Sequence, residues 1–334
     1  MPLQSFSDIK GHEEAIASLR SALKHDRVSH AYLFAGEKGS GKKLLAGVFA
    51  MALQCEESED DACLFCTSCH KAQNLNHPDI IRVTHAKPGT ISVDEIREQV
   101  VETAELKPYE GRYKVYIIAD ADKMTPQAQN ALLKTIEEPP AYAVFLLLTT
   151  SAEALLPTIV SRCVTISMKP LTDAQVRDFL MANHNIPKYE AEIAAAYAQG
   201  NIGRAEEAVL GDSFMHMTDH IVHMLRRVHD LTTVELVEII RSLVTEKTTI
   251  QEYLDLLTLW FRDVLMYKAT REIDRLVFKR EISDIRDQAE KSSYPGLEEI
   301  LNAITKAGER LRANVSFELT MELLLLTIRE NING

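Results

Sequence analysis

No stretch of this 334-residue chain approaches the roughly 20 consecutive apolar residues that a membrane-crossing helix needs. The opening segment, MPLQSFSDIKGHEEA, carries none of the apolar core of a secretory leader. Together these predict a soluble, cytoplasmic chain with no membrane partner. Basic charge is scarce as well: 37 Lys+Arg against 49 Asp+Glu leave a net charge of −12. That balance argues against a stand-alone nucleic-acid binder, although it leaves room for a local basic face. Five cysteines are too few for a disulfide scaffold at this length, and four of them cluster. Internal repeats and low-complexity tails are missing. What remains is 46% hydrophobic, enough to build cores for two or three domains.

The most informative stretch is AYLFAGEKGSGKKLLA, from Ala31 to Ala46. Tyr32, Leu33 and Phe34 read as a buried strand, and LLAGVFAMAL reads as a buried helix. Between them, Gly36-Glu37-Lys38-Gly39-Ser40-Gly41-Lys42-Lys43 matches G-x-x-x-x-G-K-[ST] at every fixed position but the last. Such a turn aims backbone N–H groups and the positive helix end at a phosphate, while the lysine reaches the outer phosphates. A hydroxyl should follow that lysine to hold Mg²⁺, and here Lys43 stands instead. The loop is therefore expected to suit ATP or ADP without being equipped to hydrolyse it. The plainer alternative is a glycine-rich turn kept for packing.

In chain order, residues 5–30 read as a capped helix with Ala15, Ile16, Leu19, Ala22 and Leu23 on one face. Ile80 to Val83 is a second strand, and Ser92 with Glu95 forms a capping box for the helix SVDEIREQVVETAEL. Lys114–Asp120 and Val144–Thr150 are the third and fourth strands. Between these, Thr125 caps a helix that begins at Pro126 and stops at Pro139-Pro140. Apolar strands alternating with helices imply a parallel sheet covered on both faces. The strand signal ends near Lys169. Two or three helices follow in 171–210, Gly211-Asp212-Ser213 marks a link, and 214–334 is helical by pattern.

A phosphate-loop ATPase carries an Asp that orients Mg²⁺ at the end of its third strand, then a Glu that activates water. This chain has Ala119 and Asp120 there. The cysteines are spaced Cys55-x7-Cys63-x2-Cys66-x2-Cys69, a set that closes a tetrahedral shell as structural zinc sites do. An iron–sulfur cluster stays open as an alternative. His70 and His77 are expected to be surface histidines rather than ligands, and Cys163 an ordinary buried thiol. Arg162, in Ser161-Arg162-Cys163, either caps the short helix LLPTIV or serves as an arginine finger for a neighbouring subunit's nucleotide. Gly200-Asn201-Ile202-Gly203-Arg204 puts a second arginine near a helix start, where the plain reading is a solvated helix residue.

Taken in order, SHAYLFAGEKGSGKK, the four-Cys insertion, KVYIIADADKMTPQAQNALLKTIEEPP and SRC resemble the bacterial clamp-loader AAA+ subunits of DNA polymerase III, and within them the delta-prime branch. The resemblance spans nearly the whole chain, with LWFRDVLMYK and RANVSFELTMELLLL similar to the family's C-terminal collar. It implies a RecA-like AAA+ domain over 1–168 with a zinc module at 55–69, a helical lid over 169–210, and a helical collar over 211–334 that assembles a five-subunit ring. By the same resemblance, Gly36, Gly39, Ser40, Gly41, Lys42 and Lys43 form the nucleotide loop, and Cys55, Cys63, Cys66 and Cys69 hold zinc. Arg162 is the finger acting in trans, and Arg204 the lid's sensor. Implied partners are the motor gamma/tau and delta subunits, the sliding clamp, and primed DNA through the assembled complex. Lys43, Ala119 and Asp120 depart from the motor subunits, which points to a stator-like role. Polymerase activity would belong to another subunit of that assembly.

Two other functions compete. An ATP-hydrolysing motor subunit would turn over ATP as an isolated chain. A zinc-dependent nucleic-acid reader is opposed by the acidic EESEDD at 56–61, since phosphate contacts call for Lys and Arg.

Overall fold

A computed structural model describes residues 5–228, 230–244 and 250–332. The chain separates into two compact units, one of residues up to 175 plus 201–203, the other of 176–200 and 204 onward.

The first unit is built on five strands: β1 (Ala31–Ala35), β2 (Ile80–Arg82), β3 (Lys114–Ile118), β4 (Ala143–Thr149) and β5 (Val164–Ser167). They form one sheet in the order β2-β3-β4-β1-β5, with every pairing parallel. Because side chains alternate across a strand, each buried strand feeds two cores. Tyr32, Phe34, Leu146 and Leu148 face α1 (Glu13–Lys24), α2 (Lys42–Leu53) and α3 (Thr67–Gln73). Leu33, Tyr116, Phe145 and Leu147 face the helices over 93–104, Pro126–Glu137 and Pro157–Val160. Burial on both faces is why these strands read as unbroken apolar runs.

Several local expectations hold. Ser92 Oγ accepts the Glu95 N–H while the Glu95 carboxylate accepts from Ser92, completing the capping box. Thr125 Oγ1 accepts the Ala128 N–H at 3.2 Å, with Pro126 at the first helical position. Others need correcting. The helix expected over 5–30 is confined to α1, because His12 enters it with a left-handed backbone and Phe6–Asp8 form a separate 3-10 turn. The helix over 93–104 includes a π turn at Arg97–Val101. The fifth strand, β5, escaped the sequence reading because three of its four residues are exposed and only Ile166 is buried. The expected link at Gly211-Asp212-Ser213 is a tight break, since a new helix starts at Asp212 with Gly211 as its N-cap.

Among its described residues, the second unit has helices and no strands. It contains Lys188–Ala198, most of Asp173–His184 and Ile202–Leu210, and the long segments Asp212–Arg227, Thr233–Val244, Ile250–Thr270, Ile282–Lys291, Tyr294–Arg312 and Phe317–Ile332. Several of its buried polar groups are paired between separate segments, as burial favours. Trp260 Nε1 donates to Gln288 Oε1 at 2.8 Å, and Gln288 Nε2 donates to the Leu225 carbonyl at 2.9 Å. Asp263, fully buried, accepts the Val277 and Phe278 N–H groups at 2.6 and 2.8 Å.

Candidate functional site

β1 runs out of the sheet at Ala35 and the chain turns through Gly36–Gly41 into α2. The turn needs glycine for two separate reasons. At Gly36 a Cβ would lie 2.7 Å from the Met168 Cβ and 3.0 Å from the Ser40 hydroxyl. Gly39 and Gly41 have φ of +85° and +89°, the left-handed region that side chains avoid. Gly41 is the N-cap of α2, so the helix N-terminus faces the loop's concave side as the motif requires.

The loop satisfies its own groups. Lys42, 9% exposed, points its ammonium back at the Gly36 and Glu37 carbonyls, 2.6 Å from each. Burial pushes that ammonium down from its ordinary value, against the pull of Asp122 and Asp120. His12 Nε2 lies 3.1 Å from the Ser40 carbonyl. Asn201 Nδ2 donates to the Lys38 carbonyl at 2.7 Å, and the Gly203 N–H donates to the Gly39 carbonyl at 3.0 Å. A Cβ on Gly203 would stand 2.6 Å from the Gly39 Cα, so main chain lies directly against main chain. Lys43, at the position where the motif has Ser or Thr, is exposed.

The acidic signature is rearranged too. β3 ends at Ile118, leaving Ala119 and Asp120 beyond it. Asp120 has a left-handed backbone and its carboxylate pairs with Lys123 at 3.3 Å. Asp122, which sequence reasoning passed over, takes the central place instead. It accepts the Thr149 hydroxyl and the Thr150 N–H, each at 3.1 Å, at the end of β4. Burial would raise the Asp122 carboxyl, but these donors outweigh it and hold it below the usual range. Gln129 was also missed. Nearly buried, it donates to the Met124 and Ala154 carbonyls and accepts the Leu156 N–H at 2.7 Å. It thereby ties Pro126–Glu137 to the turn that precedes Arg162. A polar residue on the buried stripe of that helix was the one available signal.

Arg162 satisfies the capping reading directly: Nη1 donates to the Thr158 carbonyl at 2.9 Å. Nη2 meets Glu137 Oε1 at 2.8 Å, with both side chains about 40% exposed (38% and 40%). Arg204 belongs to the second unit, where its guanidinium pairs with Asp255 and lies 4.1 Å over the Tyr197 ring. Cys163 is half-buried rather than buried, and desolvation still pushes its thiol up to about 11.

The four cysteines converge. The Sγ atoms of Cys55, Cys63, Cys66 and Cys69 all lie within 4.8 Å of one another. A tetrahedral ion with sulfur ligands at about 2.3 Å spaces them about 3.8 Å apart. Main-chain amides point at three of the sulfurs: Cys63 N to Cys55 at 3.4 Å, Cys66 N to Cys63 at 3.3 Å and Cys69 N to Cys66 at 3.3 Å. Such donors favour thiolates, so the set fits a metal ion in charge as well as in shape. His70 is exposed, as expected. His77 is not a surface residue: it is buried, with Nε2 2.9 Å from the Ser68 hydroxyl, and it leads to Asp79. The Asp79 carboxylate accepts the Tyr109, Glu110 and Gly111 N–H groups. Midway along the insertion, Asp61 accepts the Phe6 N–H at 2.9 Å. The cysteine module is thus anchored to the sheet unit through Asp61 and Ser68.

Residues 11–172 match the family model described as DNA polymerase III, delta subunit, and residues 225–330 match its C-terminal counterpart. The subunit delta' of DNA polymerase III from Bacillus subtilis is 31% identical over 316 residues, covering 93% of this chain and 94% of the relative. The tau subunit from the same organism is 28% identical, covering 92% of this chain and 58% of the relative. A Thermotoga maritima crystal structure of a gamma-subunit-related protein superposes with a TM-score of 0.46 at 21% identity, covering 95% of this chain and 99% of that one.

Proposed function

The chain belongs to the DNA polymerase III clamp-loader subunit family, and on that premise we propose that it is a non-motor, delta-prime-type subunit. In this reading it joins gamma/tau and delta subunits in a cytoplasmic loader that places a sliding clamp on primed DNA. The lid over 169–210 and the collar over 211–334 serve assembly, and Arg162 is lent to the ATP of an adjacent motor subunit.

The observation that carries the reading is the state of the nucleotide loop. An arriving triphosphate would have to draw Lys42 away from two carbonyls at 2.6 Å. Even then, Lys43, Ala119 and Asp120 leave magnesium without its customary hydroxyl and Asp. Gly36, Gly39, Ser40, Gly41 and Lys42 keep the shape of a phosphate cradle, so occupancy by ATP or ADP without turnover is compatible with the loop. Arg204 would act as the lid's sensor. The four-cysteine set is assigned zinc in a structural role. Its sulfurs are spaced for one ion, whereas an iron–sulfur cluster interposes a multi-atom core between its ligands. Zinc would supply charge neutralisation and a cross-link, with all four positions closed by protein.

The test is Arg162→Ala in a loader reconstituted with its motor subunits. The variant subunit is expected to fold and assemble, while clamp-stimulated ATP hydrolysis falls by at least tenfold, since a finger acting in trans contributes on the order of 10³-fold or more. Unchanged hydrolysis refutes the finger. The similarity to tau favours one rival, an active motor subunit. ATP turnover by the purified chain alone, at a motor's rate, would establish that rival.

A further inference from the structure

We propose that Glu137 is the positioning residue for Arg162, holding its guanidinium in the pose from which it reaches a neighbour's triphosphate. The inference rests on the finger reading above.

The sequence places these residues far apart in role: Glu137 closes the helix Pro126–Glu137, and Arg162 follows the short helix Pro157–Val160. The fold brings them together because both helices cover one face of the sheet, with Leu132 and Ile136 from the first and Ile159 from the second in the same core. Gln129 locks the spacing by bonding the Leu156 N–H just ahead of the short helix. Arg162 is then gripped at both terminal nitrogens, Nη1 by the Thr158 carbonyl at 2.9 Å and Nη2 by Glu137 at 2.8 Å. The Thr158 carbonyl holds one end of the guanidinium to the arginine's own short helix. Glu137 holds the other end from a second core-packed helix, so the two contacts together define a single pose.

A free arginine loses considerable rotamer entropy when it is immobilised against a phosphate. A side chain already held in one pose loses less. The grip leaves 38% of the arginine side chain open to solvent, so it is held without being covered. An exposed pair of this kind contributes little to stability, which separates a positioning role from a structural one.

The experiment uses the complete loader, with subunits carrying Arg162→Ala, Glu137→Ala, Glu137→Gln, Glu137→Asp and the Arg162→Ala/Glu137→Ala pair. Glu137→Ala is expected to lower the kcat of clamp-stimulated hydrolysis by three- to tenfold with KM for ATP unchanged. Glu137→Gln keeps a hydrogen-bond acceptor and is expected to recover part of the loss, while Glu137→Asp, one methylene short, recovers less. The double variant should be no slower than Arg162→Ala alone, an outcome that a general structural defect would not produce, since independent losses add. If Arg162→Ala slows the loader while Glu137→Ala leaves it unchanged, speeds it up, or adds fully to the arginine loss, positioning by Glu137 is refuted and the finger stands. If Arg162→Ala has no effect, the finger reading fails and this inference falls with it.

Discussion

Asp79 offers the sharpest test of how the turn at 109–111 is held to the sheet unit. It is 2% exposed, at the start of β2, and accepts three main-chain N–H bonds: Tyr109 at 2.6 Å, Glu110 at 2.9 Å and Gly111 at 2.8 Å. The first goes to Oδ1 and the other two to Oδ2. Asp79→Asn keeps the shape but replaces one oxygen with an NH₂ group, so in either orientation at least one N–H faces another donor. One orphaned, largely buried donor costs about 1–3 kcal/mol, and the surviving bonds lose their charge assistance. The expected destabilisation of the sheet unit is about 2–4 kcal/mol, with hydrogen exchange at 109–111 accelerating most. Urea unfolding followed by far-UV circular dichroism measures it. The chain's single tryptophan, Trp260, reports the helical unit and serves as an internal control that should not move. The pH dependence has a definite sign. Burial would raise the Asp79 carboxyl, but the three N–H donors outweigh it and hold it below its ordinary value. Its contribution is therefore present above the unfolded carboxylate pKa of about 3.9 and is lost as pH falls through the lower folded value. The wild-type advantage over Asp79→Asn should shrink below about pH 4. A difference under about 0.5 kcal/mol at neutral pH, less than a single lost hydrogen bond, or a larger one that is constant down to pH 3, refutes this account.

Two further outcomes are expected. Cys66→Ser should release about one zinc ion per chain, as read by elemental analysis and thiol titration. It should raise proteolysis within 55–70 while β1, β3 and β4 stay protected, and freshly purified wild-type protein without metal would overturn the assignment. Gly36→Ala should cost about 1–3 kcal/mol, because its Cβ would stand 2.7 Å from the Met168 Cβ. A thermal midpoint equal to that of the wild type would show that the turn yields without strain.

Much of this architecture was legible in advance because its signals are local. Ser92 with Glu95, Thr125 with Pro126 and the glycines at 36, 39 and 41 act within a few residues of themselves, and all formed as the spacing implied. The three central strands, β1, β3 and β4, were readable because burial on both faces leaves no polar alternation. β5 was not readable, because its single buried residue, Ile166, looks like loop in sequence. His77 was misplaced for a related reason: a histidine beside a proline suggests a surface turn, and only the Ser68 hydroxyl and the Asp79 loop bury it.

The sequence by itself determined the G-x-x-x-x-G-K loop, the lysine that follows it in place of Ser or Thr, and the four-cysteine spacing, since each follows from which atoms adjacent residues carry. Tertiary structure alone decided what those atoms do. Lys42 turns to the Gly36 and Glu37 carbonyls, and Asn201 bonds the loop at Lys38 from 163 positions away in the chain. The meeting of Glu137 with Arg162 is equally invisible in sequence, because it is produced by two helices packing on one sheet face, and no local rule encodes that distance.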